Sequence, residues 1–177
     1  WDPATTRHAF AKRIRALQAA GAKRILMDMF LSGTSVTSGD KDLAEAFTAF
    51  GRDRIAFGRT SDSGFSAPAL LSNSAVNLDL GVLSDHDGQF REVRLSSTGT
   101  SGNPAIWLAS GVVDRRTTPI DLRLNPDSVA SYSLTTILQP DVLSRMKGKT
   151  IIFALDRSAS RTRASLPAYG MVDRGRF

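Results

Sequence analysis

The chain has 177 residues, of which 41% are hydrophobic and 23% are charged, and this length predicts one folded domain spanning residues 1–177. The absence of cysteine excludes disulfides, thiolate catalysis and cysteine-based metal sites. The formal net charge is +6, but the basic residues are scattered singly or in twos and threes among acids, so we predict no nucleic-acid binding.

The first part of the chain predicts alternating helices and strands. Apolar residues at helical spacing predict an amphipathic helix over residues 7–20, with its basic residues mostly on other faces and Gly21 at its end. Arg24–Phe30 is short and almost continuously apolar, as expected of a central strand covered on both faces. A helix over 40–50 and a strand over 54–57 would then complete a βαβ unit with parallel strands.

The second part interrupts this alternation. Residues 76–82 and 90–95 are two strand candidates around a turn, which predicts an inserted β-hairpin and a mixed sheet. Patterns further along predict a short helix, a strand, a helical turn and a buried strand, over 105–113, 120–124, 134–138 and 150–155. The predicted fold class is therefore α/β: a single domain with a mixed, mostly parallel β-sheet flanked by helices and carrying an inserted β-hairpin.

The tetrad at residues 85–88, Asp-His-Asp-Gly, begins like a calcium loop. An EF-hand would also need a glutamate that closes a 12-residue loop between helices, so the tetrad favours a tight turn. The only histidines, His8 and His86, are expected at the exposed face of the first helix and at the turn tip. Since nucleotide-binding glycine motifs and a Gly-x-Ser-x-Gly elbow are also missing, we predict no metal site, no cofactor and no catalytic residue.

Asp28 is the most informative single residue, because a carboxylate inside an apolar strand must be paired, hydrogen-bonded or neutralised. It lies near the carboxyl end of its strand, where open α/β sheets bind ligands. One interpretation is an ion pair with a core arginine such as Arg59 or Arg91. The other is a polar or anionic ligand held by Asp28, Arg59, Arg91 and Arg157, although a solvated loop explains Arg157 equally well.

The order of these segments resembles the type-two CHASE family, the extracytoplasmic sensor domains of bacterial transmembrane signalling proteins. The similar stretches are Ala-Gly-Ala-Lys-Arg-Ile-Leu-Met-Asp-Met-Phe at 20–30, the hairpin with its Asp-His-Asp-Gly turn, and Met-Lys-Gly-Lys-Thr-Ile-Ile-Phe at 146–153. The resemblance implies a periplasmic domain between membrane helices of a longer receptor. It also implies a cytoplasmic output: cyclic-di-GMP turnover, adenylate cyclase or kinase activity.

The chain starts at Trp1 without an initiator methionine, and no apolar run approaches the roughly 20 residues that span a bilayer. We therefore expect a soluble fragment of that longer receptor, without enzymatic activity of its own. Its expected partners are an unknown small ligand or periplasmic protein, the membrane helices of the parent and a second copy in a homodimer. The alternative is a small soluble α/β hydrolase that uses Asp28 and a histidine.

Overall fold

A computed structural model describes residues 3–31, 33, 36–59, 67–79, 92–93, 104–113, 118–119 and 129–154. The helices in these ranges are α1 (Pro3–Ala19), α2 (Ser38–Phe50), α3 (Ala69–Ser74), α4 (Pro104–Ser110) and α5 (Pro140–Leu143), with 3-10 turns at Arg52–Arg54 and Thr136–Leu138. The strands are β1 (Arg24–Phe30), β2 (Ile55–Arg59), β3 (Val76–Asp79), β4 (Glu92–Val93), β5 (Thr118–Pro119) and β6 (Thr150–Ala154).

Four of these strands form one parallel sheet in the order β3-β2-β1-β6. The central position of β1 and its parallel pairing with β2 across α2 are confirmed. Strands β4 and β5 form a separate antiparallel pair. The predicted α/β class, with a mostly parallel sheet flanked by helices, is therefore confirmed.

Helices cover both faces of the sheet. Side chains alternate along β1, so Ile25 and Met27 join a large apolar cluster with α1, α2 and α3, whereas Leu26 joins a smaller cluster with Trp107 of α4. Two aromatic contacts connect the helices to the sheet on the larger side, Phe10 to Phe153 edge-on at 5.6 Å and Phe47 to Phe57 stacked at 6.2 Å; these distances join ring centroids. The near-continuous apolar strands are explained by this burial on both faces.

The two strands of the predicted hairpin take different partners. Val76–Asp79 joins the parallel sheet beside β2, and Glu92–Val93 pairs with Thr118–Pro119. The turn with the Asp-His-Asp-Gly tetrad lies outside the described residues, as does the predicted strand 120–124. The short helices α3 and α5 were not predicted, because pieces of six and four residues are too short to display a helical period.

The side chain of Arg24 connects the amino-terminal end of β1 to the carboxyl-terminal end of α4. Arg24 of β1 donates to the carbonyl oxygens of Leu108 and Ser110 at 3.1 and 2.9 Å, and so satisfies the last turn of α4. Gly111 follows with φ +80°, and a Cβ there would overlap the Arg24 guanidinium. Gly21 has φ +78°, which confirms the predicted left-handed end of the first helix.

Helices α1 and α2 lie side by side and run in the same direction. His8 contacts Ser38 near their starts, and Gln18 donates to the Ala49 carbonyl near their ends. Because α2 leaves the carboxyl end of β1, both helices begin at the carboxyl edge of the sheet. Among the described residues, no helix is long and apolar enough to cross a membrane.

Candidate functional site at the carboxyl edge of the sheet

The strand order creates a switch point between β1 and β6. The chain adds β2 and then β3 on one side of β1, whereas β6 pairs on the other side. In open α/β sheets, ligands bind at the carboxyl ends of the strands where the strand order reverses in this way, here β1 and β6. Asp28 of β1 is in register with Ala154 of β6 at this point.

Asp28 also lies at an irregularity of the sheet. The pairing of β1 with β2 passes from Met27–Phe57 directly to Phe30–Gly58, so β1 has two extra residues here, and Asp28 is one of them. Bulges of this kind re-aim side chains and are frequent next to functional sites. The half-buried Asp28 is thus a carboxylate at a distorted strand end beside a switch point.

The sheet face beside Asp28 is open on the β6 side. Alternation places Asp28 on the same face as Leu26, which α4 buries completely. The β6 residues in register with these two are Ile152, which is 45% exposed, and Ala154, which is also exposed. A small molecule can therefore approach Asp28 along β6 without displacing any helix of the described core.

Of the four predicted ligand residues, the structure describes the positions of two, Asp28 and Arg59. Arg59 is the last residue of β2, on the strand next to Asp28 and one position past the level of Phe30. The structure therefore brings Asp28 and Arg59 to one edge on neighbouring strands, at different levels. Arg157 lies three residues beyond Ala154, and both it and Arg91 are outside the described residues.

A buried ion pair at the starts of α1 and α2 was not predicted. Arg7 contacts the Oδ1 atom of Asp40, and their side chains are 7% and 0% exposed. Asp40 also belongs to a capping box, since its Oδ2 accepts from the backbone and side chain of Thr37 at 2.7 Å each. The prediction that basic residues of the first helix avoid the apolar face is wrong for Arg7.

The signals for this pair were present in the sequence. Arg7 precedes Phe10 by three residues and Ile14 by seven, which is the spacing of one helix face. Thr37 and Asp40 have the spacing of a capping box. The sequence patterns do not predict that the starts of these two helices pack against each other, which brings Arg7 to Asp40.

A second polar cluster lies at the same helix starts. His8 Nδ1 is 2.7 Å from Asp42 Oδ2, and His8 Nε2 is 3.3 Å from Ser38 Oγ. Arg15 binds the other carboxylate oxygen of Asp42 at 2.6 Å. Hydrogen bonds from Arg15 and then His8 hold the pKa of Asp42 below its ordinary value. The predicted exposure of His8 is confirmed, since 47% of its side chain is accessible.

The positions of the histidines matter for the metal site and the hydrolase that were considered from the sequence. His8 uses both ring nitrogens at the α1–α2 contact, with Asp42 and Ser38, and His86 lies outside the described residues. Within the described ranges, no group of three or more histidine and acidic side chains is arranged to hold a metal ion.

No protein-family model, curated protein or solved structure matches this chain. The function is therefore inferred from the fold, the geometry of the edge and the order of the sequence segments.

Proposed function

We propose that this chain is a ligand-sensing domain on the outer side of the bacterial inner membrane, part of a transmembrane receptor that controls a cytoplasmic output. The output would be cyclic-di-GMP turnover, an adenylate cyclase or a kinase. The resemblance to type-two CHASE domains supports the receptor assignment. Two of the stretches that carry this resemblance, 20–30 and 146–153, contain strands β1 and most of β6.

The observation that carries the ligand-binding part of the proposal is the placement of Asp28. Asp28 lies at a bulge of the centrally placed strand β1, beside the switch point at which open α/β sheets bind ligands. In this proposal, Asp28 accepts hydrogen bonds from hydroxyl or amino groups of the ligand, while Arg59 at the end of β2 and Arg157 after β6 attract an anionic group. The ligand class we propose is a small polar molecule that carries an anionic group.

Sensing requires that the ligand favour one of two conformations of the receptor. The proposed site lies where β1 and β6 meet, and the segment after β6 leads towards the carboxyl-terminal end of the chain. A ligand held between the two strands would bias the course of that segment. In the proposed receptor, the segment continues into membrane helices, and a homodimer transmits the change.

Thermal unfolding of the purified domain against a library of small anionic and zwitterionic metabolites tests ligand binding. A ligand at 100 times its Kd stabilises the folded state by about 2.7 kcal/mol. For a domain of this size, this corresponds to a rise in Tm of roughly 5–10 °C. The substitution Asp28→Asn should abolish the shift, whereas Asp141→Asn, an exposed carboxylate on α5, should preserve it.

Two results would contradict the proposal at different levels. A ligand shift that Asp28→Asn leaves intact would reject the placement of the site, and uniformly absent shifts would reject sensing of a small metabolite. The receptor assignment has its own test, which is the cellular fraction of the full-length parent. If the parent were released with soluble cytoplasmic proteins instead of sedimenting with membranes, the receptor assignment would fall.

A further inference from the structure

Three side chains at the starts of α1 and α2 have the connectivity of a nucleophilic relay. Ser38 Oγ lies 3.3 Å from His8 Nε2, and His8 Nδ1 lies 2.7 Å from Asp42 Oδ2. Hydroxyl, imidazole and carboxylate in this order are recognised by geometry and not by sequence position. We propose that Ser38, His8 and Asp42 form an acyl-accepting site that reacts with small activated esters, an activity beyond the sensing function and on different residues.

Each member of the relay has a distinct role. Ser38 is the nucleophile and His8 is its general base, so both are catalytic residues. Asp42 is a positioning residue: by accepting from Nδ1, it leaves Nε2 free to take the proton of Ser38. Arg15 binds Oδ1 and keeps Asp42 ionised, while Oδ2 stays with His8. A hydroxyl–imidazole distance of 3.3 Å is within the looser range of sites without substrate.

Backbone amides beside the nucleophile are suited to a developing negative charge. Ser38 and Gly39 are the first two residues of the 13-residue helix α2, whose first amides have no acceptor within the helix. The capping side chain of Thr37 accepts from Asp40 instead. A carbonyl oxygen attacked by Ser38 would therefore lie near N–H groups that have no acceptor within the helix, and near the positive end of the helix dipole.

The exposure of the site determines the class of substrate. Ser38 is exposed and His8 is 47% exposed, so a substrate reaches both without an opening motion. An open surface contributes little binding energy, and catalysis then depends on the intrinsic reactivity of the acyl donor. We expect small esters with good leaving groups to react, at high KM, and bulky or unactivated esters to be spared.

The proposed reaction has two balanced steps. Ser38 Oγ forms a bond to the ester carbonyl carbon while its proton moves to His8 Nε2. The tetrahedral intermediate then breaks its bond to the alcohol oxygen, which takes the proton from His8. In the second step, water attacks the acyl-serine, gives a proton to His8 and releases the carboxylic acid, and the proton returns to Ser38.

Labelling of the purified protein with a fluorophosphonate tests the relay. Ser38 Oγ would displace fluoride from phosphorus, and the adduct is located by peptide mass spectrometry. We expect an adduct at Ser38 in the wild-type protein, none at that position in Ser38→Ala, and labelling at least about 100-fold slower in His8→Gln. Ser38→Ala is compatible with folding because Thr37, and not Ser38, caps α2; circular dichroism verifies this for each variant.

The control is Ser144→Ala, which removes an exposed serine whose hydroxyl donates to the Asp141 carbonyl and contacts no histidine among the described residues. It should label like the wild-type protein. Hydrolysis of p-nitrophenyl acetate by Asp42→Asn should show kcat lowered about tenfold or more with KM unchanged, since Asp42 orients the base without touching the substrate. Any of three results would overturn the proposal: no adduct at Ser38 in the wild-type protein, an unchanged labelling rate at Ser38 in His8→Gln, or an equally rapid adduct at Ser144.

Discussion

Removal of Arg7 should destabilise the fold strongly, although it is a single charged residue on an amphipathic helix. The substitution Arg7→Met keeps an unbranched side chain on the buried face of α1 but leaves the Asp40 carboxylate fully buried without its cation. The only contact described for Asp40 Oδ1 is Arg7. A buried charge that loses its partner is far more costly than a broken surface pair.

The size of the effect follows from the burial of the pair. Removing one member of a buried ion pair costs about 3–5 kcal/mol. The two bonds that Thr37 donates to Oδ2 keep part of the Asp40 charge compensated, which places the expected loss near the lower limit, about 3 kcal/mol. With urea m-values of about 1–3 kcal/mol/M, the unfolding midpoint should fall by about 1–3 M.

Urea unfolding monitored by circular dichroism gives the free energy of unfolding for Arg7→Met, Asp40→Asn and the double variant. The double variant removes both charges, and the asparagine introduced by Asp40→Asn retains an oxygen that accepts from Thr37. It should therefore lose less stability than the two single losses added, by about 2 kcal/mol. The control Arg15→Met breaks an exposed pair on the same helix and should cost less than about 1 kcal/mol. An Arg7→Met loss as small as that of Arg15→Met, or no coupling in the double variant, would refute the reasoning.

Three further predictions concern local structure and pH. Gly111→Ala should lower the free energy of unfolding more than Gly148→Ala: both have positive φ, which costs about 1–2 kcal/mol with a side chain, but only at Gly111 would the new Cβ displace Arg24 from the end of α4. Equal losses in urea unfolding would contradict this. Thr37→Ala should cost about 1 kcal/mol through the lost cap, whereas Thr48→Ala, in the last turn of α2, should change stability by less than about 0.5 kcal/mol. Because the pKa of Asp42 is lowered in the folded state, its contribution is present above its unfolded value near 3.8 and is lost as the pH falls through the folded pKa. The stability difference between wild type and Asp42→Asn should therefore shrink on acidification from about pH 6 to below 3.8, and a difference that grows would show the opposite sign.

Local sequence patterns determined the elements and their order. Apolar residues at helical spacing predicted the first helix, and the continuous apolar run predicted β1 at its observed bounds, Arg24–Phe30. The strand over 150–155 corresponds to Thr150–Ala154. These predictions are possible because a helix or a doubly covered strand repeats its burial every few residues, so each segment contains the period of its own environment.

Asp28 was also identified from the sequence alone, because a carboxylate between apolar strand residues must be paired, hydrogen-bonded or neutralised. Its location at a bulge and its register with Ala154 could not be predicted from the sequence, because both depend on the pairing of strands that are far apart in the chain. The same limitation explains the hairpin: residues 76–82 and 90–95 have strand patterns, but a pattern does not say which strand is the partner.

The clusters at the helix starts were decided by tertiary structure. Arg7 with Asp40, and His8 with Ser38 and Asp42, are separated by 33, 30 and 34 positions, so no short motif connects them. They meet because α1 and α2 pack in the same direction on one face of the sheet. The sequence by itself determined most of the helices and strands and singled out Asp28, whereas long-range packing determined which charged side chains of α1 and α2 meet, because these side chains are about 30 positions apart in the chain.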